Sequence, residues 1–144
     1  MQISSRFTIA VHMLVCMENF KDDYKVTSEF LASSVNVNPV VIRRLLQQLK
    51  KAGIVTVKRG SGGAAVAKPP HEITLLDIYN AVECVEENNL FHFHENPNPA
   101  CPVGRNIHAA LDGRLAAIQS AMEREMASIT LADVVSDTKK LIES

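Results

Sequence analysis

Residues 26–68 read VTSEFLASSVNVNPVVIRRLLQQLKKAGIVTVKRGSGGAAVAK, and this stretch decides the fold. Thr27 has a side chain that caps helix N-termini, and Asn36 tolerates the left-handed backbone with which helices end. Asn38 and Pro39 then predict a second helix start, because proline lacks an amide proton that the first turn would leave unpaired anyway. Two short helices joined by so tight a turn are typical of a helix-turn-helix.

The second of these helices has one apolar face and one polar, largely basic face. Its apolar positions recur at helical spacing and are Ile42, Leu45, Leu46 and Leu49, and its polar positions are Arg43, Arg44, Gln47, Gln48, Lys50 and Lys51. Gly53 is placed as the C-terminal stop. After it, residues 54–58 (IVTVK) alternate as a strand, glycines at 60, 62 and 63 supply a turn, and residues 64–67 (AAVA) return. The sequence therefore predicts a mainly α fold with a small β-wing, a winged helix-turn-helix.

The charge distribution agrees with a nucleic-acid partner. Residues 1–68 hold ten Lys/Arg against four Asp/Glu, a net +6, whereas residues 69–144 hold five against twelve, a net −7. A charged run is often only a solvated face. Here the basic residues coincide with the second helix and the hairpin tip, the elements that enter the major groove and lie along the DNA backbone in this fold. Double-stranded DNA is the expected partner.

Twelve positions are candidate DNA contacts. Arg43 and Arg44 could each donate two hydrogen bonds to a guanine or contact phosphates only, and Val40 could touch a thymine methyl group or join the core. Lys51 and Lys58 suit phosphate contacts, and Arg59 at the hairpin tip suits a narrow minor groove. The complete set is Thr27, Ser28, Asn38, Val40, Arg43, Arg44, Gln47, Lys51, Lys58, Arg59, Ser61 and Gly62.

The second half of the chain predicts three helices and one long loop. Capping boxes at Thr74 and Thr130 start two helices, and between them residues 86–103 read as a long loop, followed by a helix over residues 104–127. The long helix has an apolar stripe made of Ile107, Leu111, Ile118, Met122 and Met126. Packing within the chain is one explanation for the stripe, and the seam of a homodimer is the favoured one. The expected boundaries are a DNA-binding domain over 1–85, a sensor-type loop over 86–103, and dimerisation and C-terminal helices over 104–144.

The loop contains the residues with the most reactive chemistry. His92, His94, Glu95, Cys101 and His108 form a loose group of possible metal ligands whose spacing fits no established pattern. The alternatives are a metal sensor, a metal-dependent enzyme, which lacks a paired carboxylate base, and a thiol sensor. Cys101 lies between Pro99 and Pro102 before the long helix, where the helix dipole favours a thiolate, although a small buried hydrophobe is the commoner role. An effector held near Phe91, His92 and His94 is a further possibility.

The chain as a whole resembles the Rrf2 family of bacterial winged-helix regulators. The resemblance rests on QISSRFTIAVHML at the start, VNVNPVVIRRLLQQLKKAGIV, KRGSGGAAVAKPPHEITLLDIYNAVE, and the long helix after a cysteine-containing loop. HENPNPACPVG is most similar to the YwnA-type branch. The resemblance implies a dimeric transcription factor, usually a repressor, whose long C-terminal helices cross at the dimer interface. Because a dimeric helix-turn-helix protein covers two half-sites one DNA turn apart, an inverted-repeat operator is expected.

Iron–sulfur members of the family carry three closely spaced cysteines in the loop before the long helix, whereas this loop has only Cys101. No cofactor is therefore expected. The odd number of cysteines, and the lack of a signal peptide or bilayer-length apolar run, favour the reducing cytoplasm. No phosphate-binding glycine motif or catalytic constellation is found, so an enzyme is not expected.

Overall fold

The computed structural model describes residues 4–58, 63–82, 90–91 and 94–144. The described residues form six α-helices, a short 3-10 turn and one two-stranded antiparallel ribbon. In chain order they are α1 (Ser5–Phe20), α2 (Ser28–Val35), α3 (Pro39–Lys51), β1 (Val55–Val57), β2 (Ala64–Val66), the 3-10 turn (Pro70–Glu72), α4 (Leu75–Val82), α5 (Pro102–Ser128) and α6 (Leu131–Glu143). The predicted winged helix-turn-helix with a long C-terminal helix is confirmed.

The turn between α2 and α3 has the backbone that its sequence predicts. Asn36 adopts φ 63° and ψ 49°, in the left-handed region, and its N–H donates to the Ala32 carbonyl at 2.8 Å. The Asn38 side chain then accepts from the Val40 N–H at 2.9 Å, with Pro39 at the first helical position. Gly53 has φ 78° just beyond α3. These caps fix where α3 begins and ends, and hence which side chains it exposes.

The wing is attached to the segment that enters α2. Val55 pairs with Val66 and Val57 with Ala64 in the antiparallel ribbon. The Ala64 N–H donates to the Val26 carbonyl at 2.8 Å, so the returning strand is also bonded to the chain just before α2. Gly63 has φ 77°, and a Cβ there would lie 3.0 Å from the Val26 oxygen. The close approach of the two backbones therefore requires glycine at this position.

The core of the winged-helix unit buries a different face of α1 from the predicted one. The sequence of residues 4–20 predicts a helix with Phe7, Val11, Leu14 and Val15 pointing inward, but only Leu14 of these is fully buried. The buried residues of α1 are Ala10, Met13, Leu14, Cys16 and Met17, and the other three predicted residues are half-buried against the core. The reason is that α1 is apolar around much of its circumference and packs against α2, α4, α6 and β2, so no single stripe marks its core side.

The last helix belongs to the same compact unit as the winged helix. That unit consists of Ile3–Cys84 together with Met126–Ser144. Leu131 is fully buried in its core, and the Leu131 N–H donates to the Ile73 carbonyl at 2.7 Å. The Leu75 N–H donates to the Ile129 carbonyl at 2.9 Å, so the N-termini of α4 and α6 lie side by side. The expected boundaries had grouped α6 with the long helix instead.

Both predicted capping boxes in this unit are confirmed. Thr74 exchanges hydrogen bonds with Asp77 at 2.9 and 3.1 Å, and Thr130 does the same with Asp133 at the same two distances. Each box satisfies two amide groups at the start of its helix, which fixes the entry of α4 and α6.

The other unit, Val85–Glu125, contains most of α5. Gly104 packs against the loop before the helix, since a Cβ at this position would lie 2.6 Å from the Asn98 oxygen. The Cys101 N–H donates to the same oxygen at 3.1 Å. No residue of α5 is buried in the single chain. No helix among the described residues is long and apolar enough to cross a membrane.

Replacing Gly63 with alanine should destabilise the winged-helix unit. Alanine at positive φ costs about 1–2 kcal/mol, and here its methyl group would also press on the Val26 carbonyl. Gly113 is the matched control, because it lies inside α5 with open space around it, and Gly113→Ala should stabilise by about 0.5–1 kcal/mol. Urea unfolding followed by circular dichroism measures both free energies. Equal effects of the two substitutions would contradict the assigned backbone contact.

Candidate nucleic-acid interface

The basic face of α3 is exposed over its whole length. Val40, Arg43, Arg44, Gln47 and Lys51 are all exposed. The opposite face, made of Ile42, Leu45, Leu46 and Leu49, is buried. Val40 is 53% exposed, whereas its neighbour Val41 packs against the core, which settles which of the two valines is available to a partner.

A cleft of about 490 Å³ lies between α3, the start of α2 and the wing. Its lining brings together five of the twelve candidate residues, namely Thr27, Ser28, Arg43, Gln47 and Lys58. They come from three separate elements of the winged-helix unit. The cleft therefore joins α3 to the start of α2 and to the wing, and its polar and basic side chains lie beside apolar ones such as Leu46 and Val57.

Two of the candidate residues also hold the helices in place. Thr27 Oγ1 accepts from the Phe30 N–H at 3.1 Å, and Asn38 Oδ1 accepts from the Val40 N–H at 2.9 Å. Each uses an oxygen for capping, and the Thr27 hydroxyl proton and the Asn38 amide protons are donors that could serve a phosphate. Arg44, Asn38 and Lys51 lie on α3 or at its start but outside the lining of the cleft. Arg59, Ser61 and Gly62 lie outside the described residues.

Glu29 is a member of this surface that sequence reasoning missed. Its Oε1 lies 3.6 Å from Arg43 Nη2, although both side chains are largely exposed. The pKa of Glu29 is lowered, first by a hydrogen bond from its own backbone N–H, then by the Ser28 hydroxyl, and less by Arg43. The available signal was its position in the first turn of α2, where the helix dipole favours a carboxylate. The carboxylate draws the Arg43 guanidinium toward α2.

The predicted sensor residues lie in the other unit. Cys101 is exposed in the single chain and is a free thiol. Hydrogen bonds from the backbone N–H of Gly104, and secondly of Val103, lower the pKa of the Cys101 thiol. The His94 ring stacks on the His108 ring with centroids 6.0 Å apart. His92 lies outside the described residues.

A basic helix beside a wing, held at a fixed angle by a capped turn, defines the class of winged-helix DNA-binding proteins. Residues 3–137 match the Rrf2 family, described as iron-dependent transcriptional regulators. The protein belongs to this family, and it is a transcriptional regulator rather than an enzyme.

Individual relatives agree with this assignment. The chain is 49% identical over 133 residues to the HTH-type transcriptional regulator YwnA of Bacillus subtilis (strain 168), covering 92% of this chain and 96% of that protein. It is also similar to the crystal structure of a DNA-binding protein, with a TM-score of 0.71 and 43% identity over 90% of this chain and 98% of the other. IscR of T. potens has the same fold, with a TM-score of 0.72 at 20% identity over 98% of this chain and 90% of that one.

The family's description names iron, which needs suitable protein ligands. No group of three or more His, Cys, Asp or Glu residues that could hold a metal ion occurs in the described part of the chain. Cys101 is the only cysteine in the loop before α5, and an iron–sulfur cluster usually takes four protein ligands. The stacked His94 and His108 rings do not supply the missing thiolates. The described donor set of this chain does not fit such a cluster.

The lowered pKa of Cys101 predicts that this thiol reacts with alkylating agents at a lower pH than an unperturbed cysteine does. Alkylation by iodoacetamide requires the thiolate, so its rate at Cys101 should reach half-maximum at a lower pH in the folded protein than in the urea-unfolded chain. Peptide mass spectrometry after timed quenching measures the rate at this cysteine alone. The same midpoint in both states would show that the Gly104 and Val103 amides do not stabilise the thiolate.

Proposed function

We propose that the protein is a cytoplasmic, homodimeric repressor that binds an inverted-repeat DNA operator. The observation that carries the proposal is the cleft in which the basic face of α3, the start of α2 and the wing meet. Five exposed or half-exposed polar and basic side chains converge there, and the family consists of transcriptional regulators. A surface of this shape and charge suits one duplex with α3 in its major groove.

Within the interface, side chains divide by their chemistry. Arg43 and Arg44 read bases, because a guanidinium can donate two parallel hydrogen bonds to guanine. Val40, exposed at the start of α3, contacts a thymine methyl group. Lys51 and Lys58 contact phosphates, which position the protein without specifying sequence. Arg59 enters the minor groove, and Gln47 on α3 contacts a base or a phosphate. The remaining candidates contact the DNA backbone from the caps and the wing and are Thr27, Ser28, Asn38, Ser61 and Gly62.

The long helix supports the proposed dimer. α5 has 27 residues and spans about 40 Å at 1.5 Å per residue. Its apolar stripe is left uncovered by the single chain: Ile118 is 53% exposed and the rest of the stripe is only half-buried. A second copy of the helix would cover the stripe. Two copies related by a two-fold axis would present two α3 helices to two half-sites, hence the inverted repeat.

Cys101 is the proposed internal sensor of this regulator. It is exposed, its thiolate is stabilised, and it stands immediately before α5, between the loop and the proposed dimer helix. Thiolates of this kind are the ones that oxidants attack. Oxidation would add bulk and polarity at the start of α5 and change the spacing of the two α3 helices.

The proposed DNA interface predicts that replacing its arginines and replacing its lysine have different effects on DNA affinity. On a duplex that the protein selects from a random library, Arg43→Ala or Arg44→Ala should weaken specific binding by about 1–3 kcal/mol, whereas Lys51→Ala should weaken all sequences alike. Lys139→Ala, an exposed lysine on α6, is the matched control and should change nothing. Fluorescence anisotropy at several salt concentrations measures the affinities. Undiminished binding after removal of Arg43, Arg44 and Arg59 together would refute the proposed surface.

The dimer predicts that a charge in the stripe separates the subunits. Ile118→Asp should give monomers in light scattering at micromolar concentration, since the carboxylate would be desolvated in the seam. Ser120→Asp adds the same charge about 200° around the helix, on an exposed residue, and should leave the dimer intact. A folded wild-type monomer at that concentration would rule out the proposed dimer.

A sensor at Cys101 predicts that DNA binding by the Cys101→Ser protein does not respond to oxidation. Hydrogen peroxide should release the wild type from its selected duplex, and Cys101→Ser should stay bound because a hydroxyl is not oxidised under these conditions. Reducing agent should restore binding of the wild type if the product is a sulfenic acid or a disulfide. Equal release of both proteins, or of neither, would dismiss the thiol switch.

A further inference from the structure

A second cavity lies in the winged-helix unit, away from the cleft beside α3. It has a volume of about 460 Å³, is open to the surface, and lies between α1, the end of α2 and α6. Much of its lining is apolar, with Val11, Val15 and Phe20 on α1 and Val134 and Ile142 on α6. No Asp, Glu, Lys or Arg side chain of the described residues lines it. Its size falls in the range of small-molecule sites, and its chemistry suits an uncharged, largely apolar occupant.

One corner of the cavity is polar and contains a nucleophile. Ser34 Oγ lies 2.9 Å from His12 Nε2 and 3.3 Å from Cys16 Sγ. His12 and Cys16 are four residues apart on α1 and so share a face, while Ser34 reaches them from the last turn of α2. Cys16 is only 6% exposed, yet it lines the cavity. Cys16 therefore contributes to the wall of this open cavity, whereas its partners His12 and Ser34 are exposed.

The three polar side chains can act as a proton relay. If the Cys16 thiol donates to Ser34 Oγ and the Ser34 hydroxyl donates to His12 Nε2, every hydrogen bond in the corner is satisfied. A proton leaving the sulfur then has a path to an imidazole nitrogen. A free buried cysteine acting only as a small hydrophobe would have no use for such a path.

We propose that this cavity binds a small apolar α,β-unsaturated carbonyl compound, and that Cys16 adds to it. Cys16 Sγ bonds to the β-carbon, and the π electrons of the C=C bond move onto the carbonyl as an enolate. The thiol proton passes through the Ser34 hydroxyl to His12 Nε2 and returns to the α-carbon. Nothing leaves, so the addition needs no oxidant or reductant. A soft thiol in an apolar pocket selects this class over charged electrophiles.

An adduct on Cys16 would affect the helix-turn-helix through its contact with Ser34. Ser34 lies in the last turn of α2, two residues before the left-handed Asn36 that sets the entry into α3. An adduct on Cys16 would break the contact with Ser34 and displace the end of α2. This coupling to DNA affinity rests on the proposed function, whereas the addition itself does not.

The test uses N-phenylmaleimide, a cyclic α,β-unsaturated dicarbonyl compound, on the full chain carrying Cys84→Ser and Cys101→Ser. Intact mass should show one adduct on the folded protein. His12→Ala or Ser34→Ala should slow adduct formation by a factor of about ten or more. This factor is smaller than the 10²–10⁴-fold rate acceleration that a well-placed general base contributes. Ser34→Thr keeps the hydroxyl and should retain most of the rate. The matched control keeps Cys101 as the sole cysteine, and its labelling should not respond to His12→Ala.

Three results would overturn the site. They are no adduct on the folded protein, a rate indifferent to His12 and Ser34, and a rate that rises with low urea in proportion to the unfolded fraction. The coupling is measured separately by anisotropy on the selected duplex, where the adduct should bind more weakly. An adduct with unchanged DNA affinity would refute the coupling. A protein that binds no duplex even before labelling would instead refute the proposed function and leave the labelling result intact.

Discussion

The close backbone contact between Gly63 and Val26 determines where the wing lies. The Ala64 N–H bonds to the Val26 carbonyl at 2.8 Å, and the Ala67 N–H bonds to the Ile54 carbonyl at the same distance, so the ribbon is bonded to the chain at both ends of the helix-turn-helix. Gly63, next to the first of these bonds, has a positive φ, and a Cβ there would lie 3.0 Å from the Val26 oxygen, so glycine fits this position without strain. Because the segment entering α2 and the strand leaving the wing are bonded together, α2, α3 and the wing form one surface. The cleft that carries the proposed DNA contacts exists for this reason.

Signals from neighbouring residues in the sequence predict the helix-turn-helix correctly. They do not predict how the other elements pack around it. The caps at Asn36, Asn38 and the two threonine boxes depend on neighbouring residues only, and all are as predicted. The buried face of α1 was not predictable, because four other elements surround it and its sequence is apolar on several sides. The placement of α6 depends on Leu131, whose core partners lie far away in the sequence. Periodicity shows that a helix has an apolar face, but it cannot say which element covers that face.

The residues of the candidate site likewise divide into those that the sequence predicts and those that only the fold brings together. The exposed face of α3 follows from helical spacing, which predicts the candidates Arg43, Arg44, Gln47 and Lys51. The candidates at the wing tip lie outside the described residues. Glu29 was missed because its ion pair with Arg43 joins two helices and leaves no mark in either helix alone. The hydrogen bond between His12 and Ser34 spans 22 positions and likewise depends on how α1 and α2 cross. Contacts between elements are a property of the fold, and they appear only once the fold is known.

The return of α6 to the winged-helix unit has a consequence for synthesis of the chain. The unit is discontinuous in sequence, and its core includes Leu131 and Val135, which a ribosome adds after the whole of α5. The nascent chain cannot complete this core until Leu131 and Val135 have been made. A prematurely terminated product would lack the α6 residues that seal the core and would be a substrate for proteases. Chains that end before α6 would therefore be degraded rather than compete with the intact protein for DNA.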